Sequence, residues 1–204
     1  MSLFAGGFLR FDGSATANEI RLVAQGDVTQ SSGSVIAVSE LGVIQNTDTI
    51  TASNDPDANN RLDVILDQDN QITVVAATNV FDGGVFAVAT TTELTVGSVV
   101  AETIAQGVEF AATSGLTTLS TAASLSGSLD GDLADILVQS SSSIQIDESV
   151  VAGGGAADVR ITANGVVGQT VSGTILANEL GVRCLLYTSP SPRDLSTSRM
   201  PSSA

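Results

Sequence analysis

The side chains that could do chemistry in this sequence are almost all carboxylates. There are 22 Asp and Glu residues, no His, and seven basic residues, all of them Arg. Asp63 and Asp67, or Asp67 and Asp69, could in principle form the pair of carboxylates that cleaves a glycosidic bond. Catalytic arrangements built on His or Lys are excluded because neither residue is present. Acidic residues normally lie on solvent-facing strand positions and in turns, so we predict no catalytic residues and no enzyme.

Two acidic turns could instead hold calcium, which takes oxygen ligands from Asp and Asn side chains. The candidate ligands are Asp55, Asp57, Asn59 and Asn60 in one turn and Asp130, Asp132 and Asp135 in the other. Neither turn matches the EF-hand loop, and the glycine-rich calcium repeat is missing. Asp and Asn also stabilise tight corners by bonding to their own backbone. We therefore predict no metal site and no cofactor, and a calcium-dependent surface module stays an alternative.

The net charge and the distribution of apolar residues exclude several classes of partner. A net charge of −15 disfavours nucleic acid and anionic membrane surfaces, which are bound by clustered Lys and Arg. No apolar run approaches the roughly 20 residues of a membrane-spanning helix. The N-terminal residues lack the basic start and continuous apolar core of a signal peptide. A hydrophobic content of 43 % is too high for a disordered acidic chain, so we expect a buried interior.

The elements that must position these residues are predicted to be β-strands. In residues 158–163, Val159, Ile161 and Ala163 alternate with polar residues, as expected for a strand with one buried face. The same period of two occurs in residues 61–67, 71–74 and 143–147. Helical spacing is best in residues 99–110, where Gly107 and the β-branched residues weaken it.

The predicted strands recur along the chain at a nearly constant interval. Comparable apolar pairs begin at Ile72, Leu94, Leu116, Ile144 and Val167. Short strands at this period, separated by Gly-rich and Asp-rich turns, predict a parallel β-solenoid with rungs of about 20–25 residues. We expect Val, Ile, Leu and Ala inside and Thr, Ser, Gln and Asp outside. An immunoglobulin-like sandwich is the competing fold, but the chain has no Trp.

A long internal repeat supports this architecture. Residues 19–43 and 158–182 match without a gap, with ten of 25 positions identical. A self-match of this length is typical of repeat proteins, and we expect the two copies to occupy the same place in two turns of a longer pattern of about six rungs. Arg21 and Arg160 are equivalent in the two copies. Each has an acidic residue two positions before it, Glu19 or Asp158, which suggests a weak surface ion pair.

The repeat also carries a family resemblance. The phrases GDVTQSSGSVIAVSELGV at residues 26–43, ELTVGSV at 93–99 and DVRITA at 158–163 resemble the repeats of filamentous-haemagglutinin-type adhesins, which are large repetitive bacterial exoproteins. The resemblance covers residues 19–183 and contains no catalytic signature. It implies a right-handed parallel β-helix that is secreted or displayed at the cell surface. It also implies export through an outer-membrane β-barrel translocator and attachment to a host or surface ligand such as a glycan.

The composition changes abruptly at Cys184. Residues 184–204 hold the only Cys, the only Tyr and three of the four Pro residues. This tail resembles a translated sequencing adapter, with a second adapter piece from Ser198 onwards. We therefore expect residues 1–183 to form the solenoid, residues 184–204 to be an unstructured artefact, and the sequence to be a fragment of a longer protein.

Together these observations predict a structural and adhesive role. The chain is expected to be a section of the shaft of a large secreted or cell-surface exoprotein, with no nucleic-acid partner and no membrane span. Binding would come from loops that depart from the rung period, namely residues 54–60 and the interval between Leu116 and Ile144. A carbohydrate-active β-helix enzyme is the alternative from another class.

Overall fold

The computed structural model describes residues 1–45, 62–82, 84–103, 109–119 and 135–185. Nearly all regular structure in these ranges is β-strand, and the exception is a short 3-10 turn at Gly153–Gly155. Within the same ranges, no helix has the length and apolar character needed to cross a membrane. The expectation of an all-β fold is confirmed.

Parallel strands stack in three series, which we call faces I, II and III, and each turn of the chain passes through them in that order. Face I contains β2 (Leu9–Phe11), β4 (Val28–Gln30), the start of β6 (Val64–Asp82), β7 (Phe86–Thr90), β14 (Ile136–Ser140), β17 (Val159–Ala163) and β20 (Leu180–Cys184). Face II contains the start of β3 (Ala15–Ala24), the start of β5 (Ile36–Gln45), the middle of β6, β8 (Leu94–Val96), β15 (Ile144–Ile146) and β18 (Val167–Gln169). Face III contains β1 (Ser2–Ala5), the ends of β3, β5 and β6, β13 (Leu116–Leu119), β16 (Val150–Val151) and β19 (Ile175–Leu176).

The strands of each face are in parallel register from one turn to the next. On face I, Val64 pairs with Phe86, Phe86 with Ile136, and Ile136 with Val159. All four side chains are at most 1 % exposed, so they form one continuous inward column. The predicted parallel β-solenoid is therefore confirmed, and its right-handedness stays a prediction.

The core is a set of such columns and not a single compact cluster. On face III the column is formed by apolar residues of five successive turns, and its members are Leu22, Val43, Ala77, Leu116 and Val150. Full burial of a Leu or Val side chain contributes about 1.5–3 kcal/mol, so each turn is stabilised mainly by the turns above and below it. The sequence alternation in residues 158–163 is confirmed, since Val159, Ile161 and Ala163 are buried.

The predicted series of rung starts is wrong at Leu116. Leu94, Ile144 and Val167 stack on one another on face II, whereas Leu116 lies on face III between Ala77 and Val150. Where a turn has no insertion, the sequence separation of stacked partners is close to the predicted rung length. The separation of Leu94 and Ile144 is about twice as long, because this turn contains additional segments.

One of these segments leaves the solenoid between Gly97 and Gly115. The Gly115 N–H donates to the Gly97 carbonyl at 2.9 Å, which closes the base of the excursion. Beyond this point β9 (Ser98–Val99) pairs antiparallel with β12 (Thr113–Ser114), and β10 (Glu102–Thr103) pairs antiparallel with β11 (Glu109–Phe110). We call these four strands the lateral hairpin. The described part of residues 99–110, the best helical candidate in the sequence, thus consists of short strands and irregular backbone.

Gly115 is required at this junction by its backbone and by its surroundings. Its φ is +71°, in the left-handed region that favours glycine, and a Cβ there would clash with the Ser149 carbonyl oxygen. The glycine lets the chain turn back into face III, so that Leu116 stacks in register between Ala77 and Val150 despite the insertion of the lateral hairpin.

The two copies of the long repeat do not occupy the same place in the coil, contrary to the expectation. Arg21 lies on face III, where it pairs with Ser2 and Gly42, whereas Arg160 lies on face I, where it pairs with Leu137 and Gly181. Each copy is one complete turn, since its first strand stacks on its last. The second copy is advanced by one face relative to the first.

The end of the described chain falls close to the change in composition. Cys184 is the last residue of β20 and pairs with Ala163, and the Leu185 N–H donates to the Ala163 carbonyl. Residues 186–204, the rest of the predicted tail, lie outside the described residues.

Candidate functional site

The acidic residues divide into buried and exposed groups, and four buried aspartates form a ladder. Asp27, Asp63, Asp135 and Asp158 each immediately precede a strand of face I and are 3 to 6 % exposed. Because successive face I strands are stacked, each of these side chains faces the backbone of the next turn. We call this row the aspartate ladder.

Each carboxylate of the ladder accepts a backbone hydrogen bond from the turn that follows it. Asp27 Oδ1 accepts the Asp63 N–H, and Asp63 Oδ1 accepts the Val85 N–H, both at 2.9 Å. Asp135 Oδ1 accepts the Asp158 N–H at 2.9 Å. Val85 occupies the equivalent position in the turn between Asp63 and Asp135, so one place in the row has no carboxylate. Its backbone still accepts the Val64 N–H, as expected for that position. The ladder therefore satisfies corner N–H groups that would otherwise be buried without an acceptor.

Asp158 accepts hydrogen bonds from two residues of the following turn. Its Oδ1 accepts the Glu179 N–H at 2.9 Å and the Asn178 Nδ2 at 3.3 Å, while its Oδ2 is buried without a hydrogen-bond partner. The expectation that acidic residues lie on the outside is wrong for all four ladder residues. It failed because a stacked corner supplies N–H donors that the linear sequence does not reveal.

The predicted carboxylate pairs for sugar cleavage are divided between two environments. Asp63 belongs to the aspartate ladder, and its Oδ1 is occupied by a backbone N–H. Asp67 is exposed, where it accepts a hydrogen bond from the Gln68 Nε2 at 2.8 Å, and Asp69 is exposed as well. Asp63 and Asp67 therefore do not share a solvent-filled cleft in which two carboxylates could flank a sugar.

The calcium candidates are only partly within the described residues. Asp55, Asp57, Asn59, Asn60, Asp130 and Asp132 lie outside them. Asp135 belongs to the aspartate ladder and not to an open turn. The described ranges contain no group of three or more acidic or Cys side chains arranged to hold a metal ion.

A second polar ladder lies where the face I strands end. Asn70 is fully buried; its Oδ1 accepts the Ile36 N–H at 2.9 Å, and its Nδ2 donates to the carbonyl of Leu66. Thr90, its partner on the next turn, accepts the Ile72 N–H at 3.0 Å. Polar side chains thus stabilise the corners at both ends of face I, while the apolar columns fill the space between.

Arg21 is the centre of a buried ionic network and not part of a surface pair, which corrects the sequence expectation. Its side chain is 3 % exposed. The guanidinium contacts Glu19 at 2.7 Å and Glu102 at 3.3 Å, and Nε donates to the Val100 carbonyl at 3.0 Å. Glu102 and Val100 belong to the lateral hairpin region, so Arg21 fixes this region to face III. Buried charges of this kind need several partners because desolvation is costly.

An aromatic ring completes the attachment of the lateral hairpin. Phe110 is fully buried outside the solenoid core, in a small cluster with Val23, Ala76 and Val99. Its ring lies against Gly42, where an added Cβ would clash with the ring. Glu102 is the cross-strand partner of Phe110, so the hairpin presents a carboxylate and an aromatic ring side by side. It covers the position of face III formed by Arg21, Gly42 and Ala76.

The equivalent arginine of the second repeat is in an open position. Arg160 is half-buried, and no ion pair or hydrogen bond joins its side chain to any described residue. It lies at the edge of a groove on the outer side of face I, which is lined also by the apolar Ile65, Ala87 and Leu137 and by the polar Asp67, Gln139 and Thr162. Beyond Arg160, a second shallow depression is lined by Gly181 and Arg183. Face I therefore shows outward apolar residues where polar ones are expected.

The exposed Asp12 carboxylate has two hydrogen-bond partners that change its pKa. Asp12 accepts hydrogen bonds from Ser31 and, at 2.6 Å, from the Arg10 Nε. The Ser31 hydrogen bond, followed by that of Arg10, lowers the pKa of the Asp12 carboxyl below its ordinary value. These contacts tie the first corner after face I to the next turn, because Ser31 lies one turn further along the chain.

Comparison with protein-family models, curated proteins and solved structures finds no match for this chain.

Sequence reasoning missed both the aspartate ladder and the lateral hairpin. The ladder has a weak signal in the sequence, because each of its residues is an Asp directly followed by the Val or Ile that begins a strand. Nothing else in the sequence distinguishes these four Asp residues from Asp residues in turns. The lateral hairpin has a weaker signal. Gly97 and Gly115 bracket it, but the interval between Leu94 and Leu116 is also the length of an ordinary rung.

Proposed function

We propose that this chain is a section of the shaft of a large secreted or cell-surface exoprotein, with a structural and adhesive role. The observation that carries the proposal is the stacking of parallel turns through all three faces, in which each turn is stabilised by its neighbours. Such an arrangement makes an extended, stiff body whose length grows with the number of turns.

The placement of the polar residues supports a structural role. The buried carboxylates and amides of the two ladders have their oxygens directed at backbone N–H groups of neighbouring turns. These hydrogen bonds join the turns to one another. Among the described residues at the surface is Arg160, which lies beside a mainly apolar groove, and a charged group next to apolar side chains is suited to binding.

The adhesive part of the proposal rests on the resemblance of residues 19–183 to filamentous-haemagglutinin-type repeats and on the outer surface of face I. The same resemblance is the support for a bacterial exoprotein exported through an outer-membrane β-barrel translocator, and for a ligand on a host surface such as a glycan. The high acidic charge keeps such a shaft dispersed, because like-charged molecules repel one another.

Mechanical unfolding of single molecules tests the shaft role. A chain held by its two ends and pulled is expected to lengthen in steps that correspond to single turns. A turn of about 23 residues releases roughly 80 Å of chain at about 3.5 Å per residue. Unfolding in one step that releases the whole chain would contradict a shaft built of serially stacked turns.

A parallel experiment tests attachment. Beads coated with the chain are expected to adhere to cells or to a glycan array above the level of beads coated with the heat-unfolded chain. Release of soluble sugars from a panel of polysaccharides, with no retention on them, would favour an enzyme over an adhesive protein.

A further inference from the structure

The two copies of the long repeat present the same arginine and glycine on different faces, and only one of these positions is covered. On face III, the lateral hairpin covers Arg21 and Gly42. On face I, Arg160 and Gly181 are the corresponding pair in the same strand register. No described residue forms a hydrogen bond or ion pair with the Arg160 side chain.

The shape of face I beside Arg160 suits a bulky apolar side chain. Ile65, Ala87, Leu137 and Arg160 form one outward row across four neighbouring strands. The short Ala87 lies between the longer Ile65 and Leu137, which are two strand spacings apart, or about 10 Å. This leaves a notch over Ala87 that is wide enough for an aromatic ring. The notch and the guanidinium of Arg160 are on the same side of the sheet.

The charge of Arg160 defines the second requirement for an occupant. Arg160 is a half-buried residue with no carboxylate partner among the described residues, so its guanidinium favours an anionic group. Arg binds carboxylates through two parallel N–H···O hydrogen bonds. Arg183 lines the adjoining depression and adds positive charge at the same edge of face I. These two arginines lie together on a chain whose net charge is −15.

The intramolecular contact on face III shows what kind of segment satisfies both requirements. There, an antiparallel strand pair places Glu102 opposite Phe110, with the carboxylate on the arginine and the ring over a small residue. We propose that the outer side of face I is a docking surface for a partner segment of the same chemistry. The occupant is a short β-hairpin that carries a carboxylate for Arg160 and a large apolar side chain for the notch over Ala87.

A hairpin peptide derived from the chain itself is a suitable probe. Residues 98–103 and 109–114 joined by Asn-Gly keep Thr103 opposite Glu109, since Asn-Gly forms the two-residue turn preferred in hairpins. In the full chain the lateral hairpin is covalently attached, so it occupies face III at a high effective concentration and excludes the free peptide from that face. The free peptide is therefore expected to bind face I, with saturable binding in fluorescence anisotropy and with perturbed amide signals at residues 87–89.

Charge reversal and filling of the notch test the two halves of the proposal. Arg160→Glu is expected to weaken peptide binding at least tenfold, and Ala87→Leu is expected to do the same by occupying the notch. Arg10→Glu is the matched control, because it changes the net charge equally and also lies on face I. It is expected to leave the affinity within twofold, and a peptide with Gln in place of Glu102 is expected to bind more weakly.

Two outcomes of the binding experiments would contradict the proposed docking surface. Absence of saturable binding at millimolar peptide would overturn the proposal, as would an equal loss of affinity in the Arg160→Glu and Arg10→Glu variants. Thermal melts show that each variant is folded, and Arg160→Gln, which is uncharged and keeps a long polar side chain, serves if the charge-reversed variant does not fold. The docking surface names a partner for the outer side of face I, on which the adhesive part of the proposed function rests, whereas the shaft role is tested separately by mechanical unfolding.

Discussion

Arg21 and Arg160 occupy equivalent positions in the two copies of the repeat, yet Arg21 lies on face III and Arg160 lies on face I. The same local sequence thus forms one turn of the coil with two different starting faces. What differs is the environment. Arg21 is buried beneath the lateral hairpin, and Arg160 borders an open groove.

This difference makes the two arginines a matched pair for mutation. Arg21→Ala removes the contacts with Glu19, Glu102 and the Val100 carbonyl. We expect the free energy of unfolding to fall by about 2–3 kcal/mol, within the range for hydrogen bonds to charged groups. Arg160→Ala should change it by less than about 0.5 kcal/mol, as for a surface substitution. Urea denaturation measures both, and equal losses would show that the lateral hairpin does not depend on Arg21.

Gly42→Ala tests the contact between face III and the aromatic ring of Phe110. An added methyl group would clash with the ring and displace the lateral hairpin. We expect a loss of about 1–3 kcal/mol, as for other overpacked sites. The control is Gly13→Ala, because a Cβ at Gly13 would meet nothing within 4 Å. If Gly42→Ala unfolds at the same urea concentration as the control, the ring does not pack on Gly42.

The aspartate ladder can be tested at Asp158 by two substitutions. Asp158→Ala leaves the buried Glu179 N–H without an acceptor, which should cost about 1–3 kcal/mol. Asp158→Asn keeps an oxygen for that N–H and removes a negative charge from the row, so its loss should be smaller. The free energy of unfolding of each variant is the measurement. Equal destabilisation by the two substitutions would mean that the charge, and not the acceptor, is what the corner requires.

The pKa of Asp12 should depend chiefly on Ser31. Ser31→Ala removes the hydrogen bond that contributes most to lowering this pKa, so the pKa should rise toward its ordinary value of 3.8. A carboxylate with a depressed folded pKa contributes stability above its unfolded pKa and loses that contribution as the pH falls through the folded pKa. The variant should therefore lose less stability on acidification than the parent chain does. Carbon NMR titration of the carboxyl group measures the shift, and an unchanged Asp12 pKa in the Ser31→Ala variant would contradict this expectation.

Calcium is expected to leave the melting curve unchanged. Asp135, one of the candidate ligands, is buried in the aspartate ladder, and the described residues hold no metal-binding group of three acidic side chains. Scanning calorimetry over a calcium series, with magnesium as the control cation, measures the effect. A rise in melting temperature at sub-millimolar calcium would establish the calcium-dependent module instead.

The β-solenoid could be predicted from the sequence because its two signals are local. Alternation in residues 158–163 identifies the inward side chains, and the recurrence of apolar pairs gives the length of a turn. The assignment of Leu116 to a rung start was wrong because the lateral hairpin has nearly the length of one turn. Spacing alone does not distinguish a chain that coils once from one that leaves the coil and returns.

The surface features could not be predicted in the same way, because they depend on contacts between distant residues. Arg21 is buried by the lateral hairpin, whose Glu102 and Phe110 are far from it in the sequence. Asp63 and Asp135 are ordinary turn residues until stacking places a backbone N–H beside each carboxylate. The sequence reports which residues are polar, but the stacking of turns decides which of them face the solvent.

The advance by one face between the two copies has a geometric consequence for a longer chain. If the repeat recurs at the same spacing, each copy begins one face further around the coil than the previous copy. Three copies would then direct their arginine and glycine to three different sides before the pattern returns to its starting direction. The positions equivalent to Arg21 and Arg160 would follow a screw path around the coil, so that a partner approaching from any side would meet one such position, either covered as at Arg21 or open as at Arg160.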